Sequence, residues 1–251
     1  MLDPGVYVAL TAVAAVAGFI DSIAGGGGLL IIPALLFAGV SPLMALGTNK
    51  LQSVFGTAIA LRNYRRSGLV EWAPNRATVA LVFAGAAAGA VAVNLIGSDP
   101  LRLIIPILLF TSAIYVLLSP RMTDDDAHHR LGSTGYMPVA TAIGFYDGFF
   151  GPGAGTFYTT SLVALRGLGL TRATATAKLV NLASAVATLL LFAAAGHILW
   201  LLGLCMAAGA MAGGWLGSHS ALRFGARLIR PLLVIISLGL TGRLLWGYFA
   251  D

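Results

Sequence analysis

Residues 179–222 run for 44 positions without an aspartate, glutamate, lysine or arginine. A soluble fold cannot use such a run, because its surface meets water and carries about 25% charged residues. A bilayer can. One helical crossing takes about 20 apolar residues, so this run predicts two crossings with a turn between them. Gly196-His197, followed by Trp200, is the place to turn, since glycine interrupts helices and tryptophan favours the membrane interface.

The remaining uncharged runs cover 4–20, 22–49, 51–61, 77–98, 103–120, 131–146, 148–165 and 231–242. With breaks at Pro33 and at 39–42, they predict ten apolar segments: 5–23, 29–38, 43–61, 77–96, 101–118, 137–150, 156–165, 171–194, 199–216 and 228–248. Segments 29–38 and 156–165 are only about 15 Å long at 1.5 Å per residue. That is too short for a hydrocarbon core of about 30 Å, so both are expected to be half-helices or re-entrant segments.

Composition agrees. Apolar residues make up 58% of the 251 and charged ones 10%, with a mean hydropathy of +0.90. A water-soluble enzyme is excluded, and no chain is left for a sizeable extramembrane domain. A net charge of +6 and a pI near 9.9 would suit a nucleic-acid surface. The fifteen lysines and arginines lie mostly in short gaps between uncharged runs, however, where they read as topology signals, and no nucleic-acid partner is expected. The single cysteine, Cys205, excludes an intramolecular disulfide and any cysteine-based zinc or iron–sulfur site. Inside an apolar run it reads as a small buried residue. Met1-Leu2-Asp3-Pro4 lacks a basic n-region, so the first run is expected to stay as a span.

The chain also repeats. Gly18-Phe19-Ile20-Asp21 is echoed by Gly144-Phe145-Tyr146-Asp147, and Gly25-Gly26-Gly27-Gly28 by Gly151-Pro152-Gly153-Ala154. Thr48-Asn49-Lys50-Leu51 matches Thr176-Ala177-Lys178-Leu179, Gly68 and Trp72 match Gly196 and Trp200, and Arg102 to Pro106 matches Arg227 to Pro231. The offset stays between 125 and 128 residues. Equivalent loops differ in charge: Arg62, Arg65, Arg66 and Arg76 against none near Gly196, none at 39–42 against Arg166 and Arg172, and Arg102 alone against Arg223, Arg227 and Arg230. All three comparisons reverse together, which predicts an inverted repeat with both termini outside the cytoplasm. The expected division is a first repeat at 1–120, a cytoplasmic linker at 121–136 and a second, inverted repeat at 137–251.

Two constellations can carry chemistry. The first is Asp21 before Gly25, Gly26, Gly27 and Gly28, with its twin Asp147 before Gly151, Gly153, Gly155 and Thr156. Glycines here either allow close helix packing or break a helix, so that a new N-terminus offers free N–H groups to an anion. The second is Lys50 and Lys178, the only lysines, at one repeat position. A lysine at depth costs about 2.5–3.5 kcal/mol unless it pairs or meets water. Either both snorkel to a helix end or they line an electropositive site, with Thr48, Asn49, Gln52, Thr176 and Asn181 supplying neutral hydrogen bonds. Asp21 and Asp147 are then counter-charges or a relay for a proton or cation. Other polar residues read more plainly. His128-His129 belong to a solvated loop, His197 and His219 to the interface, and Trp72, Trp200, Trp215 and Trp246 to interfacial belts. No paired metal-ligand spacing, nucleophile elbow or Walker loop occurs, so neither catalysis nor a cofactor is expected.

The runs at 18–28, 47–51 and 144–153 resemble those of the TauE/SafE family of sulfite-exporter-like permeases, and the likeness extends over nearly the whole chain. The resemblance implies an all-helical, duplicated carrier of the inner membrane that handles sulfite, sulfonates and related sulfur oxyanions. The expected function is a secondary transporter of such a small anion by alternating access, coupled to a proton or sodium gradient. A passive anion channel, or a membrane enzyme or scaffold, is the alternative. The expected partners are the anion, the lipid bilayer and a second copy in a homodimer.

Overall fold

The computed structural model describes residues 3–118 and 131–224. Every regular element among them is helical: α1 (Pro4–Ala24), α2 (Gly28–Phe37), α3 (Pro42–Arg66), α4 (Arg76–Ile96), α5 (Ser98–Leu118), α6 (Ser133–Phe149), α7 (Ala154–Arg166), α8 (Leu170–Ala194) and α9 (Trp200–Phe224). A 3₁₀ turn at Ala73–Asn75 precedes α4. The first nine expected segments each become a helix, and 195–199 is the turn inside the long uncharged run. Segment 228–248, most of the linker, His128-His129, Arg227 to Pro231 and Trp246 lie outside the described residues.

Helix ends depart from the apolar pattern where the helix outruns it. α3 continues to Arg66 rather than 61 and α9 to Phe224 rather than 216. A helix keeps closing its own hydrogen bonds after the apolar face has ended, and arginine is a good helix former. α1 starts on Pro4, where the missing N–H costs nothing, and the Asp3 carboxylate accepts the Gly5 N–H at 2.9 Å. Pro4–Ala24, Ala73–Ile96, Leu170–Ala194 and Trp200–Phe224 are long and apolar enough to cross a membrane. α2, at 10 residues, and α7, at 13, are the short pieces. Bulky apolar side chains such as Leu95, Leu103, Leu190 and Leu201 face outward, the reverse of a water-exposed surface.

α1 packs along α9 and α4 along α6, while α3 and α8 lie against each other and against α9 and α4 respectively. Contact registers rise together in the outer pairs: Ala15 with Gly213 and Phe19 with Gly217, then Thr141 with Gly85 and Phe145 with Gly89. α1 therefore runs parallel to α9, and α4 parallel to α6. These interfaces are made of small residues because lipid tails are as apolar as leucine, which leaves close packing as the attraction between helices. A side chain at Gly89 would fall onto the Phe145 carbonyl, and one at Gly148 onto that of Ala86.

Candidate functional site

The two glycine runs end two helices in the interior of the bundle. Gly25 and Gly26 take φ of 79° and 90°, and Gly151 and Gly153 take 99° and 86°, a region that side-chain-bearing residues avoid. Four helix ends meet there: the C-termini of α1 and α6 and the N-termini of α2 and α7. The two breaks touch. A Cβ on Gly25 would collide with the backbone of Gly155 and Thr156, and one on Gly28 would stand 3.1 Å from Pro152 Cα. Thr156 Oγ1 donates to the Ala24 carbonyl at 3.0 Å, tying the start of α7 to the end of α1.

Each lysine reaches across to the other half of the chain. Lys50 is the ninth residue of α3 and Lys178 the ninth of α8, each about 12 Å along its helix at 1.5 Å per residue. Lys50 Nζ donates to Asp147 Oδ1 and to the Asp147 carbonyl, both at 2.6 Å. Lys178 Nζ donates to Asp21 Oδ2 at 2.8 Å and also to the Asp21 carbonyl. Each amine thus neutralises a carboxylate and covers a carbonyl near the negative end of a broken helix. Snorkelling does not occur: the lysine side chains are 5% and 1% exposed. Among the described residues each of the two buried lysines is paired with one aspartate, so neither stands as a bare positive charge. Asp21 and Asp147 are the counter-charges.

A cavity of about 30 Å³ opens beside these pairs. Of the residues expected at a site, Asp21, Gly26, Gly27, Gly28, Asn49, Lys50 and Gln52 line it from the first half. From the second half come Asp147, Gly151, Gly153, Gly155 and Asn181. Five expected residues stand outside its lining. Gly25 and Thr156 form the contact between the breaks, and Lys178 lies behind Asp21. Thr48 Oγ1 accepts the Leu199 N–H at 3.1 Å and so fastens the turn before α9. Thr176 faces a separate pocket beside Glu71 and Arg172. Both threonines sit on helix faces turned away from the cavity, which their place in the repeated motif did not reveal.

Residues missed in the sequence add to the lining from α3 and, on α8, to the hydrogen bonds that hold Asp147. Ser53, Gly56 and Thr57 of α3 join Asn49 and Gln52 at i, i+3, i+4, i+7 and i+8, one continuous helix face. On α8, Ser184 donates to Asp147 Oδ2 beside Asn181 Nδ2, which does so at 3.1 Å, and Thr188 follows one turn later. The signal was a polar stripe of helical period inside two apolar segments. Gln52 Nε2 donates to Asn49 Oδ1 at 2.9 Å, and Tyr146 OH donates to the Pro152 carbonyl at 2.6 Å, bracing the second break. His197, expected at the interface, meets Asn94 at 2.7 Å. His219 packs on Trp215 with ring centroids 4.4 Å apart.

Apolar spans, helices broken at depth and a buried polar centre between them define a multi-pass membrane protein of the transporter class. The chain belongs to the TauE/SafE sulfite exporter family, whose model matches residues 10–244. It is 43% identical over 247 residues to the probable membrane transporter protein YfcA of Escherichia coli K12, covering 98% of this chain and 92% of that one. It is 44% identical over 231 residues to the probable membrane transporter protein ORF9 of a Sinorhizobium species, covering 92% and 88%. The probable membrane transporter protein YunE of Bacillus subtilis is more distant, 25% identical over 264 residues. No solved structure matches the chain.

Proposed function

We propose that the protein is a secondary carrier of a small anion, a sulfur oxyanion such as sulfite or an organosulfonate, in the inner membrane. Its two halves, 1–120 and 137–251 joined by the linker 121–136, are read as an inverted repeat that exposes the central cavity alternately to either side. The reciprocal pairing carries this reading: Lys50 holds Asp147 and Lys178 holds Asp21, each across the halves and each at a broken helix. The helix packing supports it, since α1 lies on α9 as α6 lies on α4, and α3 on α9 as α8 on α4. Helix N-termini at Gly28 and Ala154 offer N–H groups to an anion, as discontinuous transporter helices do. Asn49, Gln52, Ser53 and Thr57 add neutral donors. The balance of two lysines against two aspartates implies that an anion is taken up with a cation, because an anion alone would leave a net negative charge in a low-dielectric centre. A cavity of only about 30 Å³ favours a carrier over an open pore.

Flux into proteoliposomes tests this. Sulfite or an organosulfonate is expected to accumulate down an imposed proton or sodium gradient. Lys50→Arg and Lys178→Arg, which keep charge but change its geometry, are expected to cut the rate at least about tenfold, equivalent to about 1.4 kcal/mol. Unchanged flux in both variants would remove the lysines from the site. Flux indifferent to every gradient would favour a passive channel.

A further inference from the structure

The two lysine–aspartate pairs occupy equivalent repeat positions in unequal surroundings. The Asp147 side chain is 3% exposed, and side-chain donors take both its oxygens: Lys50 on Oδ1, Asn181 and Ser184 on Oδ2. The Asp21 side chain is 21% exposed. Its Oδ2 meets Lys178 at 2.8 Å, its Oδ1 receives the Gly27 N–H at 3.3 Å, and the residue lines the cavity. The difference is written in the repeat. At the offset of 128 that relates the lysines, Asn181 and Ser184 correspond to Ser53 and Gly56, one shorter side chain and one absent. Asp21 thereby lacks the two donors that hold its twin.

Oxygen atoms with spare capacity surround this opening. Thr57 is 2% exposed, lines the cavity, and its hydroxyl has no hydrogen-bond partner. Asn181 commits its Nδ2 to the Asp147 carboxylate, which leaves its Oδ1 on the side of Gly155. A Cβ built on Gly155 would stand 3.5 Å from that oxygen and 3.7 Å from Asp21 Oδ1. Carboxylate, amide and hydroxyl oxygens together suit a hard cation, and a carboxylate with a weakly held oxygen suits a proton. The second break is braced by Tyr146, whereas Ile20 stands at the corresponding place in the first.

We propose that Asp21 is the residue that takes the coupling cation, a proton or an alkali ion, and that Lys50–Asp147 is a fixed brace. This rests on the carrier reading above. A cation on Asp21 loosens its hold on Lys178, and Lys178 then carries the positive charge that an incoming anion needs. Cation and anion each favour the other's binding, and by linkage the effect is reciprocal. The charged and titratable groups around Asp21 are Lys178 of α8, Lys50 and Tyr64 of α3, and Asp147 of α6. α9 adds Ala210, and α7 adds Gly155 and Thr156.

Carbodiimide labelling of the purified wild-type protein, read by mass spectrometry, tests the assignment with no variant that could misfold. An apolar carbodiimide reacts with a carboxyl only when it is protonated and reachable. Asp21 is expected to label and Asp147 to remain unlabelled. Labelling should fall as pH rises, and it should fall with added sodium at fixed pH if the ion is sodium. Asp147 labelling as fast as Asp21, or Asp21 labelling indifferent to both pH and sodium, would overturn the proposal. In proteoliposomes, Asp21→Asn is expected to lower the ratio of gradient-driven to gradient-free sulfite flux about tenfold, within the ordinary range of coupling. An unchanged ratio would also overturn it. If wild-type protein moves neither sulfite nor an organosulfonate while Asp21 labels in the cation-sensitive way, the substrate reading fails and the cation site stands.

Discussion

Lys50 and Asp147 show at the residue scale how a costly charge becomes tolerable at depth. Breaking a buried pair by removing one partner costs about 3–5 kcal/mol, because the remaining charge is uncompensated. Lys50→Ala is therefore expected to lower the melting temperature in detergent sharply. Adding Asp147→Ala should recover part of that loss, since no lone charge remains; a double variant less stable than either single one would contradict the pairing. Lys50, Lys178, Asp21 and Asp147 were legible as charges that could pair with one another, but which lysine meets which aspartate was not. The repeat aligns each lysine with the other lysine, whereas the contact joins each lysine to the opposite half's aspartate. Ser53, Thr57 and Ser184 went unread because a lone hydroxyl in an apolar segment carries little signal until the helix face it shares is known.

Elements are held together by how closely their backbones approach. On α4 and α6, Gly89 and Gly148 each leave room only for a partner carbonyl. Gly148→Leu or Gly89→Leu is expected to push these helices apart and abolish recovery of folded protein, read as loss of the monodisperse peak in size-exclusion chromatography. Gly68→Ala, in a loop with open space around it, should cost far less, although its φ of 74° adds some strain. Tyr146→Phe removes the hydrogen bond to Pro152. It is expected to cost about 0.5–1.5 kcal/mol, seen as a modest drop in melting temperature. The glycine runs at 25–28 and 151–155 admitted two readings, packing or helix breakage. Both apply, since the positive φ values end the helices and the missing side chains let the breaks touch.

For the whole molecule, the proposed inversion makes a prediction about sidedness. In a Cys205→Ala background, Ser67→Cys and Ala195→Cys occupy exposed, repeat-related turns. An impermeant maleimide added to intact cells is expected to label the cysteine at 195 from outside and to reach the one at 67 only after permeabilisation. Labelling of both from one side would rule out the inversion. The sequence by itself determined the membrane class, nine of the ten segments as helices, and the two short broken ones. Hydropathy and glycine content are local properties, and a bilayer turns them directly into elements. The tertiary structure alone decided which polar residues meet. It cross-linked Lys50 to Asp147 and Lys178 to Asp21, turned Thr48 and Thr176 away, and brought Ser53 and Thr57 to the cavity. Those outcomes depend on the rotation of each helix about its axis and on contacts between residues some 100 to 160 positions apart. Close packing between helices sets that rotation, and no periodicity within a single segment records it.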